Sequence, residues 1–184
     1  DPGTITPPSG WSTGPTSANT NQVYVSSFWL ETGGSEPSSY SWSWVTARTV
    51  AGGIAELSGY DSGLVDTSAG SSDGNNSSVT CPSVTPTASN CLICAFAGHK
   101  QPDTEISTDP SGYTKQYDIE TALTGFGHVE AYLHTKTHTS GATGTIVSTI
   151  EDNRPWAGVT IAVAPDAGGG GISIPVVYHH RQRI

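Results

Sequence analysis

Three histidines, His128, His134 and His138, fall on one alternating stretch, Gly127 to His138. Imidazole is the side chain best suited to carry a proton near neutral pH or to ligate a metal. The spacing argues against a shared ion. If the stretch is extended, His134 and His138 stand roughly 13 Å apart along it, whereas zinc–nitrogen bonds are only about 2 Å long. The His-x-His spacing that would work on a strand does not occur. The expectation is a solvated polar face, His128-Glu130-Tyr132-His134-Lys136-His138, opposite Val129-Ala131-Leu133. His179 and His180 are neighbours, so on a strand they point to opposite faces.

Asp61, Asp66 and Asp73, with Asn75 and Asn76, have the oxygen chemistry calcium requires. They lack the ordered Asp-x-Asp-x-Asp-Gly loop. They are weak calcium candidates, set against the simpler reading of Asx residues building turns. No other cofactor or metal is expected. Glu56 and Glu130 are strand carboxylates, and glycoside hydrolysis needs two of these across a sugar. No Glu-x-Asp-x-x-Glu strand supports that use. A serine nucleophile would need a sharp strand-to-helix elbow, and no stretch has a helical period with caps. The chain is not expected to be an enzyme; a polysaccharide hydrolase is the weakest functional reading.

The elements that must position these residues are strands. Gln22 to Leu30 is aromatic and β-branched, and Tyr40-Ser41-Trp42-Ser43-Trp44-Val45 alternates strictly. That alternation predicts a half-buried antiparallel strand. Further strands are predicted at Val50 to Leu57, Val79 to Val84, Asn90 to Gly98, Tyr113 to Ile119, Gly127 to His138, Gly141 to Ile150 and Trp156 to Ala164. A turn at 58–63 and loops at 66–78 and 99–112 follow from Gly, Ser, Asp, Asn and Pro content. Such spacing suits an all-β fold: a single antiparallel β-sandwich, jelly-roll or concanavalin-like, with extended N- and C-terminal arms.

Three units follow. Residues 1–20 form a Pro/Gly/Ser/Thr-rich arm with Trp11 as its anchor. Residues 21–166 form the sandwich. Residues 167–184 form a glycine linker and a β-prone C-terminal arm. Leaving Ile172, Ile174, Val176 and Tyr178 in water is unfavourable, at about 1.5–3 kcal/mol for each large apolar side chain. The arm, with Arg181 and Arg183 at its basic end, is expected to dock on its own domain or on a neighbour. Trp42 and Trp44 suit either a core or a sugar platform. Trp11 and Trp156 are expected to be surface aromatics and join them as candidate glycan-binding residues.

The chain has 184 residues, a net charge of −9 and only seven Lys and Arg. That excludes the clustered basic footprint of a nucleic-acid binder. No apolar run reaches the roughly 20 residues of a membrane-spanning helix, so no membrane insertion is expected. Charged residues make up only 12%, and scattered aromatics argue for a folded chain rather than a disordered one. Cys81, Cys91 and Cys94 are an odd set. On a strand, Cys91 and Cys94 would point to opposite faces, so buried free thiols are expected, with a Cys81 disulfide to one of them as the alternative.

The order of several short pieces carries a resemblance. These are Ser35-Glu36-Pro37-Ser38-Ser39-Tyr40-Ser41-Trp42-Ser43-Trp44, then Ala51-Gly52-Gly53-Ile54-Ala55-Glu56-Leu57-Ser58-Gly59-Tyr60-Asp61. Ser83-Val84-Thr85-Pro86-Thr87, Asn90-Cys91-Leu92-Ile93 and Gly141-Ala142-Thr143-Gly144 follow. Over roughly residues 22–164 the chain resembles a jelly-roll/concanavalin-like β-sandwich module of tailed-phage structural proteins and bacterial surface proteins. The resemblance implies a virion-surface or extracellular location. It also implies a structural role, as a phage decoration, tail or fibre component, or a lectin-like adhesion role. Expected partners are copies of itself, other virion or filament subunits, and cell-surface glycans. The family brings no catalytic motif.

Overall fold

The computed structural model describes residues 5–19, 22–31, 36–44, 49–100, 106–121, 128–166 and 172–181; for 60–64, 71–75 and 172–181 it describes the backbone alone. Among the described residues there is no helix. The protein is all-β, and every strand pairing is antiparallel.

Three strands form the centre: β7 (Cys91–Lys100), β10 (Val129–His138) and β11 (Ile146–Pro165). β7 lies between the other two, so both its edges are hydrogen-bonded and both its faces are covered. Its near-continuous apolar sequence fits that placement. Leu92, Cys94 and Phe96 pack on one side with Ala131, Leu133, Val159 and Ile161. Cys91, Ile93, Ala95 and Ala97 pack on the other with Tyr132, Trp156 and Ala162. The first side is closed by Val23 and Val25 of β3 (Val23–Trp29), Ala51 of β5 (Val50–Ala51) and Leu57 of β6 (Ile54–Cys81).

All three thiols are buried and free, and Cys91 and Cys94 do lie in opposite clusters. Burial pushes the Cys81 and Cys94 thiols up to about 12, so they are protonated and unreactive at physiological pH.

β6 departs most from expectation. The turn at 58–63 and the loop at 66–78 are both strand, inside one 28-residue element. Its partner explains this. β11 pairs along β6 from Ile146↔Cys81 to Pro165↔Tyr60, with register shifts that absorb irregularities. Ladder bonds to an apolar neighbour outweigh the weak turn preferences of Ser, Gly and Asn. Gly70 has a specific use: a Cβ there would stand 2.5 Å from the Thr16 carbonyl oxygen. β11 likewise joins into one element what the sequence divided at Ile150 and Trp156.

The N-terminal arm is integrated rather than loose. β2 (Ser12–Asn19) pairs with β3, and β1 (Ile5–Thr6) pairs with β4 (Ser43–Trp44). Trp11 is buried with Ile5 and Phe28. Its ring meets Tyr40 and Trp42 edge-on at 5.0 and 5.2 Å. Tyr40 to Trp44 is therefore not a regular strand. Only Ser43 and Trp44 are extended and paired, and Val45 lies outside the described residues. The aromatics gather around Trp11 instead of lining one pleated face.

The C-terminal segment forms β12 (Ile172–Arg181) on its own chain. In the hydrogen-bonded order β2-β3-β12-β6-β11-β7-β10-β9 it lies between β3 and β6. It also pairs with β5 through His180↔Ala51 and Arg181↔Val50. Of the two expected docking places, its own domain or a neighbour, this backbone takes the first, as an interior strand of the sheet. Arg183 and the glycine run 168–171 lie outside the described residues.

Candidate functional site

Among the described residues, the richest grouping of ionisable side chains lies on one face of β10, at its junction with β9 (Thr114–Glu120) and the end of β7. Alternation puts His128, Glu130, Tyr132 and His134 on that face. It does not face solvent, as the sequence suggested: His128, Glu130 and His134 are buried. Neighbouring strands supply what the spacing alone did not reveal.

Glu130 is opposite His99 of β7. Their side chains meet at 3.3 Å, and both are almost fully buried, at 4% and 1% exposed. His128 Nε2 lies 3.1 Å from Glu120 Oε2 of β9. His134 Nε2 lies 2.9 Å from Asp109 Oδ1, on the segment between β8 (Ile106–Thr108) and β9. Lys115 Nζ is 2.8 Å from Asp118 and 3.4 Å from Asp109. The Tyr132 ring stands between His134 and His99, with centroids 5.6 and 6.2 Å away.

Electrostatics follow from this packing. Burial drives the His134 imidazole below its ordinary value, and the Asp109 carboxylate only partly offsets it. Burial pushes Asp109 up, but the His134 contact and the Lys115 charge outweigh it and hold the carboxyl below its usual range. The hydrogen bond to Asp118 raises Lys115.

Two cavities border this face. One, of about 290 Å³, is lined by Ile106, Lys115, Asp118, Glu120 and Glu130. The other, of about 270 Å³, is lined in part by Pro110, Tyr113, Lys136, Thr143 and Val147. In it the Lys136 ammonium lies 5.3 Å from the Tyr113 ring centre. Among the described residues no three His, Cys, Asp or Glu side chains are grouped as metal ligands. The carboxylates already face histidines or a lysine.

The sequence-derived candidates are scattered. Asp66 is a loop clamp: it accepts hydrogen bonds from the amides of Thr87 and Ala88 at 2.7 Å each and from the Thr87 hydroxyl at 2.9 Å. Burial works against its ionisation, but these donors win and its pKa is lowered. The side chains of Asp61 and Asp73 lie outside the described residues. Trp11 and Trp156 are core residues, not surface aromatics. Trp156 donates its indole N–H to Asn76 at 3.1 Å. Trp42 is half-buried against Trp11, and Trp44 alone of the four is exposed. The four tryptophans therefore form no single platform.

Glu56 is exposed on β6 and outside the lining of the cavity that Glu130 borders. Gly70-Ser71-Ser72-Asp73-Gly74 spells Gly-x-Ser-x-Gly, but mid-strand in β6 rather than at a strand-to-helix elbow. For the arm residues Ile172, Ile174, Val176, Tyr178 and Arg181 the backbone alone is described, in β12. Sequence reasoning missed His99. Its signal was its place at the end of the alternating run Cys91-Ile93-Ala95-Ala97-His99, beside a second strand carrying Glu130.

No protein-family model matches the chain, and no curated protein or solved structure matches it.

Proposed function

We propose that this protein is a structural subunit of an extracellular or virion-surface assembly, of the decoration, tail or fibre kind, with its sheet closed as a β-sandwich. It joins copies of itself, or other subunits, through its terminal strands, and it assembles or binds rather than catalyses. The observation that carries this reading is the position of β12. The last described strand fills a place between β3 and β6 and follows a tetraglycine in the sequence. Glycine imposes little backbone preference, so a strand tethered through it can take its place in one copy or another. The same ladder bonds can then be made to β3, β5 and β6 of a neighbour, which is strand addition between copies. Sedimentation velocity of the full chain over a wide concentration range tests the reading. A defined oligomer or fibre supports it; a monomer at every concentration refutes it.

A glycan-binding adhesion module is the second reading. It is favoured by the cavity that brings the Tyr113 ring beside the hydroxyl-bearing Ser111, Thr143 and Thr145, since sugar faces stack on aromatic rings. Glycan-array binding that Tyr113→Ala abolishes would support it, and a blank array would remove it.

A further inference from the structure

The two cavities differ in charge. The first sets Asp118, Glu120 and Glu130 against one cation, Lys115. In the second, Lys136 is the only charged residue of the lining among the described residues, with the hydroxyls of Ser111, Thr143 and Thr145 around it. The carboxylate nearest in sequence, Asp109, is engaged by His134 and Lys115. The walls of this second cavity are fixed. Pro110 is buried, and Tyr113 packs on the core cluster that contains Cys81 and Ile146. Thr143 is held twice by Val84: its N–H donates to the Val84 carbonyl at 2.9 Å, and its Oγ1 accepts the Val84 N–H at 3.1 Å.

Granted the glycan-binding reading, on which this rests, we infer that the second cavity takes a sugar bearing a carboxylate, such as a uronic or sialic acid, whose anionic group meets Lys136 while its ring lies on Tyr113.

Lys136 is exposed on β10, just past the last β9 pairing at Thr135↔Thr114, and its partner on β7 is the uncharged Ile93. Among the described residues no ion pair holds it, whereas Lys115 pairs with Asp109 and Asp118, and Arg154 with Asp152. The chain has 16 Asp and Glu against seven Lys and Arg, so a lysine without a carboxylate is unusual here. Its ammonium lies instead 5.3 Å from the Tyr113 ring centre. Gly112 leaves room for it, since a Cβ there would stand 3.2 Å from Nζ. A cation on an exposed ring is held weakly, and a carboxylate is the stronger partner. When the ammonium turns to a ligand carboxylate, the Tyr113 ring is uncovered for the apolar face of the sugar. Ser111 and Thr145 are exposed and can bond its hydroxyls. A phosphate carries nearly two charges and calls for more donors than one ammonium. The volume of about 270 Å³ lies at the small end of ligand pockets, which run about 300–1,000 Å³, and suits a single sugar unit. The net charge of −9 repels polyanions in general, so binding of an acidic glycan has to come from a local site.

Equilibrium binding of the full chain to a panel of uronic- and sialic-acid glycans, each paired with its carboxyl-reduced neutral form, reads this directly. At least one acidic glycan should bind, and its reduced form should bind about tenfold more weakly, the loss expected when a charged hydrogen bond goes. Lys136→Gln should weaken the acidic glycan by a similar factor and leave the reduced form unchanged. Arg154→Gln, which removes the same charge outside the cavity, should change neither. If K136Q does not fold, the comparison of each glycan with its reduced form on the wild-type chain decides. Equal binding of the two forms, or undiminished binding by K136Q, would overturn the acidic assignment and leave the glycan reading standing. Polyglutamate that binds through Lys136 as tightly as the best glycan would also overturn it, because the site would then take a carboxylate without its sugar. A panel with no binder, acidic or neutral, would end both readings.

Discussion

β7 and β12 are both interior strands with a neighbour on each edge, yet they are held in different ways. β7 lies mid-chain and is locked by apolar side chains on both faces. Removing it would mean dismantling the core. β12 ends the described chain, and it bridges β3, β5 and β6, which are remote from it in sequence. Its ladder joins elements that would otherwise share fewer bonds. Under the proposed function, interior position alone does not make a strand permanent: a strand on a glycine tether is one that a neighbour's copy can replace.

The comparison can be broken at several points. The largest effect is expected from deleting residues 168–184. β3, β5 and the first part of β6 then lose their common partner, and stability should fall by more than about 4 kcal/mol. A truncated chain with an unchanged denaturant midpoint would show that β12 is dispensable. Phe96→Ala attacks β7 instead. Phe96 is 0% exposed, and the cavity should cost about 3–5 kcal/mol, with no dependence on protein concentration. Equilibrium denaturation at two concentrations checks both clauses.

Asp66→Ala should cost about 2 kcal/mol, because it strands the Thr87 and Ala88 amides. Part of the Asp66 contribution depends on pH. A carboxyl whose folded pKa lies below its unfolded value stabilises fully above the ordinary value of about 3.9 and loses that contribution as pH falls from there through the lower folded value. The wild-type advantage over D66A should therefore shrink below about pH 4; a constant difference would contradict the clamp. Lys115→Ala should cost less than about 1 kcal/mol, since its partners Asp109 and Asp118 are well exposed.

Much of the strand content was legible in the sequence. Val23–Trp29, Cys91–Lys100, Thr114–Glu120 and Val129–His138 lie close to where periodicity and β-branched content put them. β6 was not legible, because Ser68 to Asn76 has loop composition and becomes strand only through β11. Nor was the fate of Trp11 and Trp156, whose polar neighbours in sequence say nothing about what packs on them in space. The face of β10 was half readable. Alternation grouped His128, Glu130 and His134 correctly, but His99, Asp109 and Glu120 come from other elements, and only the register between strands brings them in.

The claim that β12 can be shared between copies is tested most directly by crosslinking in a mixed population. Arg181 and Val50 are opposite each other in the ladder, and the native thiols are buried. Chains carrying Val50→Cys alone are refolded together with chains carrying Arg181→Cys alone, then oxidised gently. A covalent dimer containing one chain of each kind is the predicted product. Its absence, with a V50C/R181C double variant closing an internal disulfide in every chain, would contradict strand sharing.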